Sequence, residues 1–379
     1  MSLLFSEEQS LLKESAAAFV RDKRDLNALR VRRSSPGVPQ VDREIWSEMV
    51  ELGWTAIPFE EASGGLGLGF AELGIVMEEL GRGLVQSPLL STVVLYGGII
   101  EIAGSSEHKQ RILPEVIAGN RLGSFAYLES ARHDPLHVET TLKSQRDGYR
   151  LTGCKHFVLD GGSADEFVVL AREKGRAGDD DGLRLALVPA DSEGIELENH
   201  LLIDGRSASN VHFREVVVED DWLLTGAGPV AGVLDQVFDR AAVAMSSEML
   251  GGIQSVFDMT IEYLKVREQF GAKIGSFQGL KHRAARWFCE VELSKAIVLK
   301  ALRAIDENGP ETLQIASACK ARVSDTALLS GKEGIQMHGG IGVTDEHDVG
   351  LFMKHGRVAE MMFGDSRFHQ LRFASSNGY

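Results

Sequence analysis

The hydrophobic period changes twice along the 379 residues of this chain, and those two changes constrain its fold more than any single motif does. Up to about residue 121, apolar residues recur at three- and four-residue steps, as in Leu11, Leu12, Ala16, Phe19 and Val20 behind the capping-box pair Ser6 and Gln9. From about Leu122 the apolar runs turn short, β-branched and bounded by Gly, Asp or Pro, as in 167–170, 183–188 and 211–218. Past Gly226-Ala227-Gly228-Pro229 the helical period returns over roughly 230–271, 276–307, 310–337 and 346–361. The spacing predicts an α+β chain, mostly α, in three domains: N-terminal helical over 1–121, middle β over 122–228 and an antiparallel helical bundle over 229–379.

Local signals refine this outline. Pro36 to Val41 reads as a loop, and Ile45, Met49 and Leu52 resume helical spacing. The run Gly64-Gly65-Leu66-Gly67-Leu68-Gly69 is not bracketed by strand and helix as a dinucleotide fingerprint requires. It reads as a turn before a helix over 71–80 that stops at Gly81-Arg82-Gly83, with an apolar segment from Val93 to Ile102 beyond. In the β domain Asp147-Gly148 and Asp160-Gly161-Gly162 read as hairpin turns, and Arg172 to Gly182, with Asp179-Asp180-Asp181, as a solvated loop.

The formal charge of -15 argues against a protein that coats nucleic acid or an anionic membrane, so an anionic ligand has to be met by a local basic patch. No apolar run approaches the roughly 20 residues needed to span a bilayer, and the start of the chain lacks the layout of a signal peptide, so a cytoplasmic location is expected. Cys154, Cys289 and Cys319 are too scattered for a disulfide framework or a zinc site and read as small buried or half-buried hydrophobes.

Two stretches admit both a structural and a functional reading. In Tyr263 to Gln278, the stripe Ile253, Val256, Phe257, Ile261 and Leu264 places Arg267 in the last turn of a helix. There Arg267 offsets the dipole, Gly271 takes the left-handed position and Ser276 caps the next helix. The second stretch, Gln336-Met337-His338-Gly339-Gly340-Ile341-Gly342, is an ordinary helix stop; equally, its glycines let a backbone approach a phosphate with N–H groups exposed.

Arg267-x-Gln269-Phe270-Gly271 and Gln336-x-His338-Gly339-Gly340-x-Gly342, in a chain of helical, β and helical parts, resemble the acyl-CoA dehydrogenase family over nearly the whole length. Within it the resemblance runs to the small subunits of heteromeric members such as pimeloyl-CoA dehydrogenase. It implies that family's fold: an N-terminal helical domain, a middle β-barrel-like domain and a C-terminal four-helix bundle. It also implies an FAD enzyme that desaturates an acyl-CoA thioester between the α and β carbons and passes electrons to an electron-transfer flavoprotein or similar acceptor. By the resemblance Arg267 meets the FAD pyrophosphate, Phe270 and Gln278 pack near the adenine half, and Gln336 to Gly340 reach the FAD of a neighbouring subunit of a tetramer. The isoalloxazine is expected near Phe125-Ala126-Tyr127 and Phe157-Val158-Leu159; Phe157 is either a ring-stacking group or a core residue of a strand.

The sequence departs from the family where the chemistry is done. The family's Thr-Glu-Pro and Gly-Ser-rich flavin loop is here Leu128-Glu129-Ser130-Ala131-Arg132-His133-Asp134-Pro135, and Leu159 replaces a flavin-bonding hydroxyl. The two positions where the family keeps its base hold Phe363 and Ala241, and the Arg that usually follows the second is Ala242, with Arg240 as the open substitute; Asp365 and Asp239 are the weak candidates close by. The reading this favours is one subunit of a heteromeric enzyme whose larger homologous partner supplies the base. Two others stay open: a non-catalytic subunit completing another chain's flavin site, or a flavin monooxygenase or oxidase on the same scaffold.

The histidines 338, 347, 355 and 369 do not fall at ligand spacing, so no metal site is expected. Asp345-Glu346-His347-Asp348 reads as dipole compensation at a helix start. Lys265, Arg267, Lys273, Lys281, His282 and Arg283 cluster around the first motif, either as the local basic patch that an acidic protein would need for phosphates or as surface charges. The acyl chain, fatty or steroid, is left open by the sequence.

Overall fold

The computed structural model describes residues 5–34, 41–146, 148–226 and 228–379. Residues 36–40 of the expected first loop, Asp147 and Ala227 lie outside the described residues. In chain order the first helices are α1 (Glu7–Lys23), α2 (Leu26–Ser34), α3 (Arg43–Glu51), α4 (Phe70–Gly83), α5 (Gly98–Ala103) and α6 (Ser106–Ile117). The strands β1 (Gly123–Ala126), β2 (Thr141–Gln145), β3 (Gly148–Leu159), β4 (Glu166–Arg172), β5 (Leu183–Pro189), β6 (Ile195–Leu201) and β7 (Ser207–Val218) follow. Then come α7 (Val230–Val266), the short strands β8 (Glu268–Gln269) and β9 (Ala272–Lys273), and α8 (Gln278–Glu307), α9 (Thr312–His338), α10 (Val349–Met361) and α11 (Ser366–Ser376). The chain forms two compact units: 1–31, 70–85 and 242–379, and 32–69 with 86–241.

The first unit is helical. The Ser6–Gln9 capping box opens α1, whose buried face is Ala16, Phe19 and Val20, while Leu11 is exposed. Residues 70–71 start α4 with their amides on the carboxylate of Asp306, at 2.6 and 3.1 Å, an anion placed at the positive end of the helix. Helix α4 continues through Gly81 and ends at Gly83, three residues beyond the expected 71–80. A Cβ on Gly81 would sit 1.9 Å from the Glu248 carbonyl, so the glycine serves the close crossing of α4 and α7. Helices α8, α10 and α11 pack on α9, and α11 is a fifth helix beyond the four expected.

The second unit holds one curled sheet in the order β1-β4-β2-β3-β7-β6, with β5 on the other edge of β4. Pairing of β1 with β4 is parallel, and β3–β7, β6–β7 and β4–β5 are antiparallel. Leu142, Leu151, Phe167, Val169, Val188, Val211, Phe213 and Val216 form its core; β4 and β5 are buried on both faces, whereas β6 is almost wholly exposed. The turn at Asp160 is not a hairpin, because β3 and β4 are not neighbours. Asp160 takes a left-handed φ of 52° and accepts hydrogen bonds from the hydroxyls of Ser91 (2.6 Å) and Ser207 (2.9 Å). The loop after β4 is solvated at Asp179 to Asp181, but its first residue, Arg172, is buried and donates to the carbonyls of Leu136, Val138, Asp179 and Asp181. The apolar segment expected over 93–102 is a π-helix, Leu89–Gly97, continued by α5. Cys319 is buried and Cys154 half-buried, whereas Cys289 is exposed rather than covered.

Candidate active site

The stretch that joins α7 to α8 is a small hairpin and not a plain helix stop. Helix α7 ends at Val266, and the Arg267 amide still donates to the Tyr263 carbonyl at 2.9 Å. Strands β8 and β9 then pair Glu268 with Lys273 and Gln269 with Ala272, leaving Phe270 (φ 54°) and Gly271 (φ 76°) as the two left-handed turn residues. Ser276 does not cap α8: its hydroxyl donates to the Lys273 carbonyl at 2.6 Å, and the N-cap position belongs to Phe277. Phe270 is 94% exposed, and its ring lies 6.3 Å from that of the part-exposed Phe277, so the hairpin presents a small aromatic patch.

The second motif lies at the same end of the helical unit. The rings of Tyr263 and His338 are 4.5 Å apart, and Arg283 is paired with Glu333 at 2.8 Å, which ties the ends of α7, α8 and α9 together. Gly339 ends α9 with φ 66°; Gly340 has an ordinary φ, so the left-handed residue of the pair is the first. A Cβ at either would meet nothing within 4 Å. Within the basic patch Lys265 is paired with Glu262 and Arg283 with Glu333. Among the described residues, no ion pair or hydrogen bond within the chain engages the side chains of Arg267, Lys273, Lys281, Gln278 or Gln336. Three uncommitted cations, two uncommitted amides, an open glycine backbone and an exposed aromatic ring fit a diphosphate-bearing ligand with a ring system.

The turn carrying residue 363 lies between α10 and α11. Phe363 is buried at φ 58° and Gly364 stands at φ 100°, so two successive residues are left-handed. The turn is held by Lys320, fully buried on α9, whose ammonium donates to the carbonyls of Glu360 (2.8 Å), Gly364 (3.0 Å) and Ala359 (3.2 Å). His369 Nε2–H donates to the Phe363 carbonyl at 2.9 Å. Burial pushes Lys320 down to about 7, against the pull of Glu360, Cys319 and Asp365. The exposed Asp365 carboxylate accepts from the Phe368 amide at 2.7 Å and is the N-cap of α11, a structural use of that weak candidate.

In the sheet unit, Ala241 is fully buried on α7, Asp239 is buried two residues earlier, and Arg240 pairs with Glu101 at 3.0 Å. Phe125 stacks on Tyr127 (5.2 Å), and Phe238 lies 4.7 Å from Tyr127 and 4.9 Å from His133, which also meets the Tyr127 hydroxyl at 3.2 Å. Burial raises the Tyr127 phenol well above its ordinary value. Phe157 is no core residue: it is 49% exposed, at φ 51°, where β3 shifts register against β7 between Lys155 and Val158. Sequence reasoning missed Lys155 and Lys320. No local signal marks either one, because the groups that accept from Lys320 and Lys155 come from distant segments.

Among the described residues no group of three or more His, Cys, Asp or Glu is placed to hold a metal ion. The acidic run before α10 does not compensate its dipole through a cap: Asp348 pairs with Arg30 at 2.8 Å and Asp345 with Lys354 at 3.1 Å. No helix of the described residues is long and apolar enough to cross a membrane.

A mostly helical chain with one inserted curled sheet defines an α+β protein, mostly α. Family models narrow it: the N-terminal, middle and C-terminal domains of acyl-CoA dehydrogenase match residues 6–120, 129–216 and 231–376. The chain belongs to the acyl-CoA dehydrogenase family. It is 29% identical over 370 residues to acyl-CoA dehydrogenase IpdE2 of Mycolicibacterium smegmatis, covering 97% of each chain. A solved steroid ACAD variant superposes with a TM-score of 0.86 at 27% identity, covering 98% of both chains. The ChsE4-ChsE5 complex of Mycobacterium tuberculosis shares the fold at a TM-score of 0.88 and 24% identity, covering 100% of this chain and 99% of the other.

Proposed function

We propose that this chain is an FAD-dependent acyl-CoA dehydrogenase subunit that works with a larger homologous subunit, the partner supplying the carboxylate that takes the α proton. The observation that carries the two-subunit reading is chemical: Phe363 and Ala241, at the two family base positions, are both buried and neither can accept a proton. Asp365, the candidate beside Phe363, is engaged as a helix cap. FAD, when bound, supplies the hydride acceptor for the β carbon. The chain's own residues bind and orient: Arg267 meets the pyrophosphate with its planar fork, Phe270 and Gln278 cover the adenine half, and Gln336 and the open backbone at Gly340 reach a neighbouring subunit's FAD.

Phe157, exposed and re-aimed by its bulge, offers a flat apolar face to the ring system. A hetero-tetramer in the cytoplasm, delivering electrons to an electron-transfer flavoprotein or similar acceptor, completes the reading. The acyl group, fatty or steroid, is a matter for a substrate panel. The test is co-expression with a larger homologue that keeps its glutamate, followed by flavin absorbance and acyl-CoA turnover. Activity that needs both chains, and that vanishes when the partner's glutamate is replaced, supports the reading; full turnover by this chain alone overturns it.

A further inference from the structure

Lysine 155 is fully buried in the sheet unit, on the strand that carries Phe157 two residues later. Its ammonium donates to Glu129 Oε1 at 2.5 Å and to the Tyr127 carbonyl at 3.1 Å. The same carboxylate accepts from the amides of Thr140 (3.0 Å) and Glu139 (2.6 Å), so it closes the loop over 129–139 onto β3. The His156 amide adds a bond to the Leu128 carbonyl at 2.7 Å. Thus the two segments, 127–129 and 155–157, are locked together by one ion pair with every carboxylate oxygen in use.

A residue held at φ 51° with its aromatic ring half in solvent gains nothing by staying there unless its neighbours over-determine it. Lys155 and Glu129 are the neighbours that do so: the ammonium fixes residue 155, the bulge begins at the next residue, and the loop cannot lift away to let the strand straighten. Burial pushes Lys155 down to about 8 even beside Glu129. The Glu129 carboxyl, which burial alone would raise, is held below its ordinary value by Lys155.

We infer that Lys155 and Glu129 are positioning residues for the flavin ring, setting the presentation of Phe157 and of the main chain at Tyr127 and Leu128. This rests on the flavin reading above. The lock matters to the ligand because a ring-stacking face displaced by about 1 Å loses contacts that fall off steeply with distance.

The experiment uses the full chain, alone and with its co-expressed larger subunit, and FAD as the probe. Lys155→Met should weaken FAD binding by about tenfold or more and alter the visible flavin band. Lys155→Met with Glu129→Leu replaces the buried pair by apolar groups and should fold with a melting temperature above that of Lys155→Met alone, since no buried carboxylate is left unpaired. Its FAD affinity and flavin band should nevertheless stay altered, because the Tyr127 carbonyl and the amides of 139 and 140 have lost their anchor. A merely structural pair would recover both together in the double variant. Unchanged affinity and band in either folded variant overturn the positioning role. If the unaltered chain holds no FAD in either form, the flavin reading itself falls, and the proposal with it.

Discussion

The ammonium of Lys320 and the carbonyl oxygen of Gly364 lie 3.0 Å apart inside the helical unit, so that a buried cation closes the turn on which residue 363 is carried. Its solvation is replaced by carbonyl dipoles and not by an adjoining carboxylate, which is a costly way to keep a charge.

That cost gives stability a pH dependence. Burial sets Lys320 at about 7 in the folded chain, below the 10.5 of an unburied lysine. Between these values the unfolded chain is protonated and the folded one is not, so stability rises as pH increases from about 7 to about 10.5, by at most ~1.4 kcal/mol per unit. Below about 7 both states carry the proton and this contribution is flat. Urea titrations from pH 6 to pH 10 should show the slope, with conditions chosen on the order of these limits. Lys320→Met should remove the part of the slope that begins at about 7, leaving the part Lys155 contributes above about 8, while orphaning three carbonyls, at a loss of at least about 2 kcal/mol.

Arg267 is exposed, and among the described residues its side chain has no partner within the chain. Arg267→Ala should therefore change stability by no more than about 0.5 kcal/mol and leave the far-UV helix signal intact, while depleting bound flavin. Full flavin retention would return Arg267 to the role of helix terminator.

The glycine pair separates conformation from access. Gly339 is left-handed and Gly340 is not, with open space beside both. Gly339→Ala should cost roughly 1–2 kcal/mol through backbone strain. Gly340→Val should cost little stability yet block flavin by filling the approach to its backbone. Normal flavin content in the valine variant would reduce the 336–342 turn to a helix stop.

The missing base yields the sharpest contrast. Asp365→Ala should lose about 1 kcal/mol of stability as its cap is removed, without changing turnover by the complex. Asp239→Asn keeps shape and removes a buried charge; the heteromeric reading expects turnover to survive it. A steep loss of kcat in the complex would make Asp239 the base and remove the need for a partner's glutamate.

The sequence by itself determined the order of helical and β parts and placed the 263–278 and 336–342 stretches at helix ends, because a 3.6-residue period over thirty-odd residues, as in α7, is a strong local signal. Strands β4, β5 and β7 were legible from a different local signal, short apolar and β-branched runs bounded by turn residues. Strand β6 was not: Glu196, Glu198, Asn199 and His200 make it polar, and only pairing with β7 makes it a strand. Helix α11 lacks an apolar stripe and is set by its Asp365 cap and its packing on α9. Tertiary structure alone decided that Phe270 and Phe157 face outward, and that Lys155 and Lys320 are buried. Burial of a lysine depends on acceptors brought from 26 residues away in one case and about 40 in the other. No local pattern encodes that meeting, because the partners are a distant carboxylate and backbone carbonyls common to every residue.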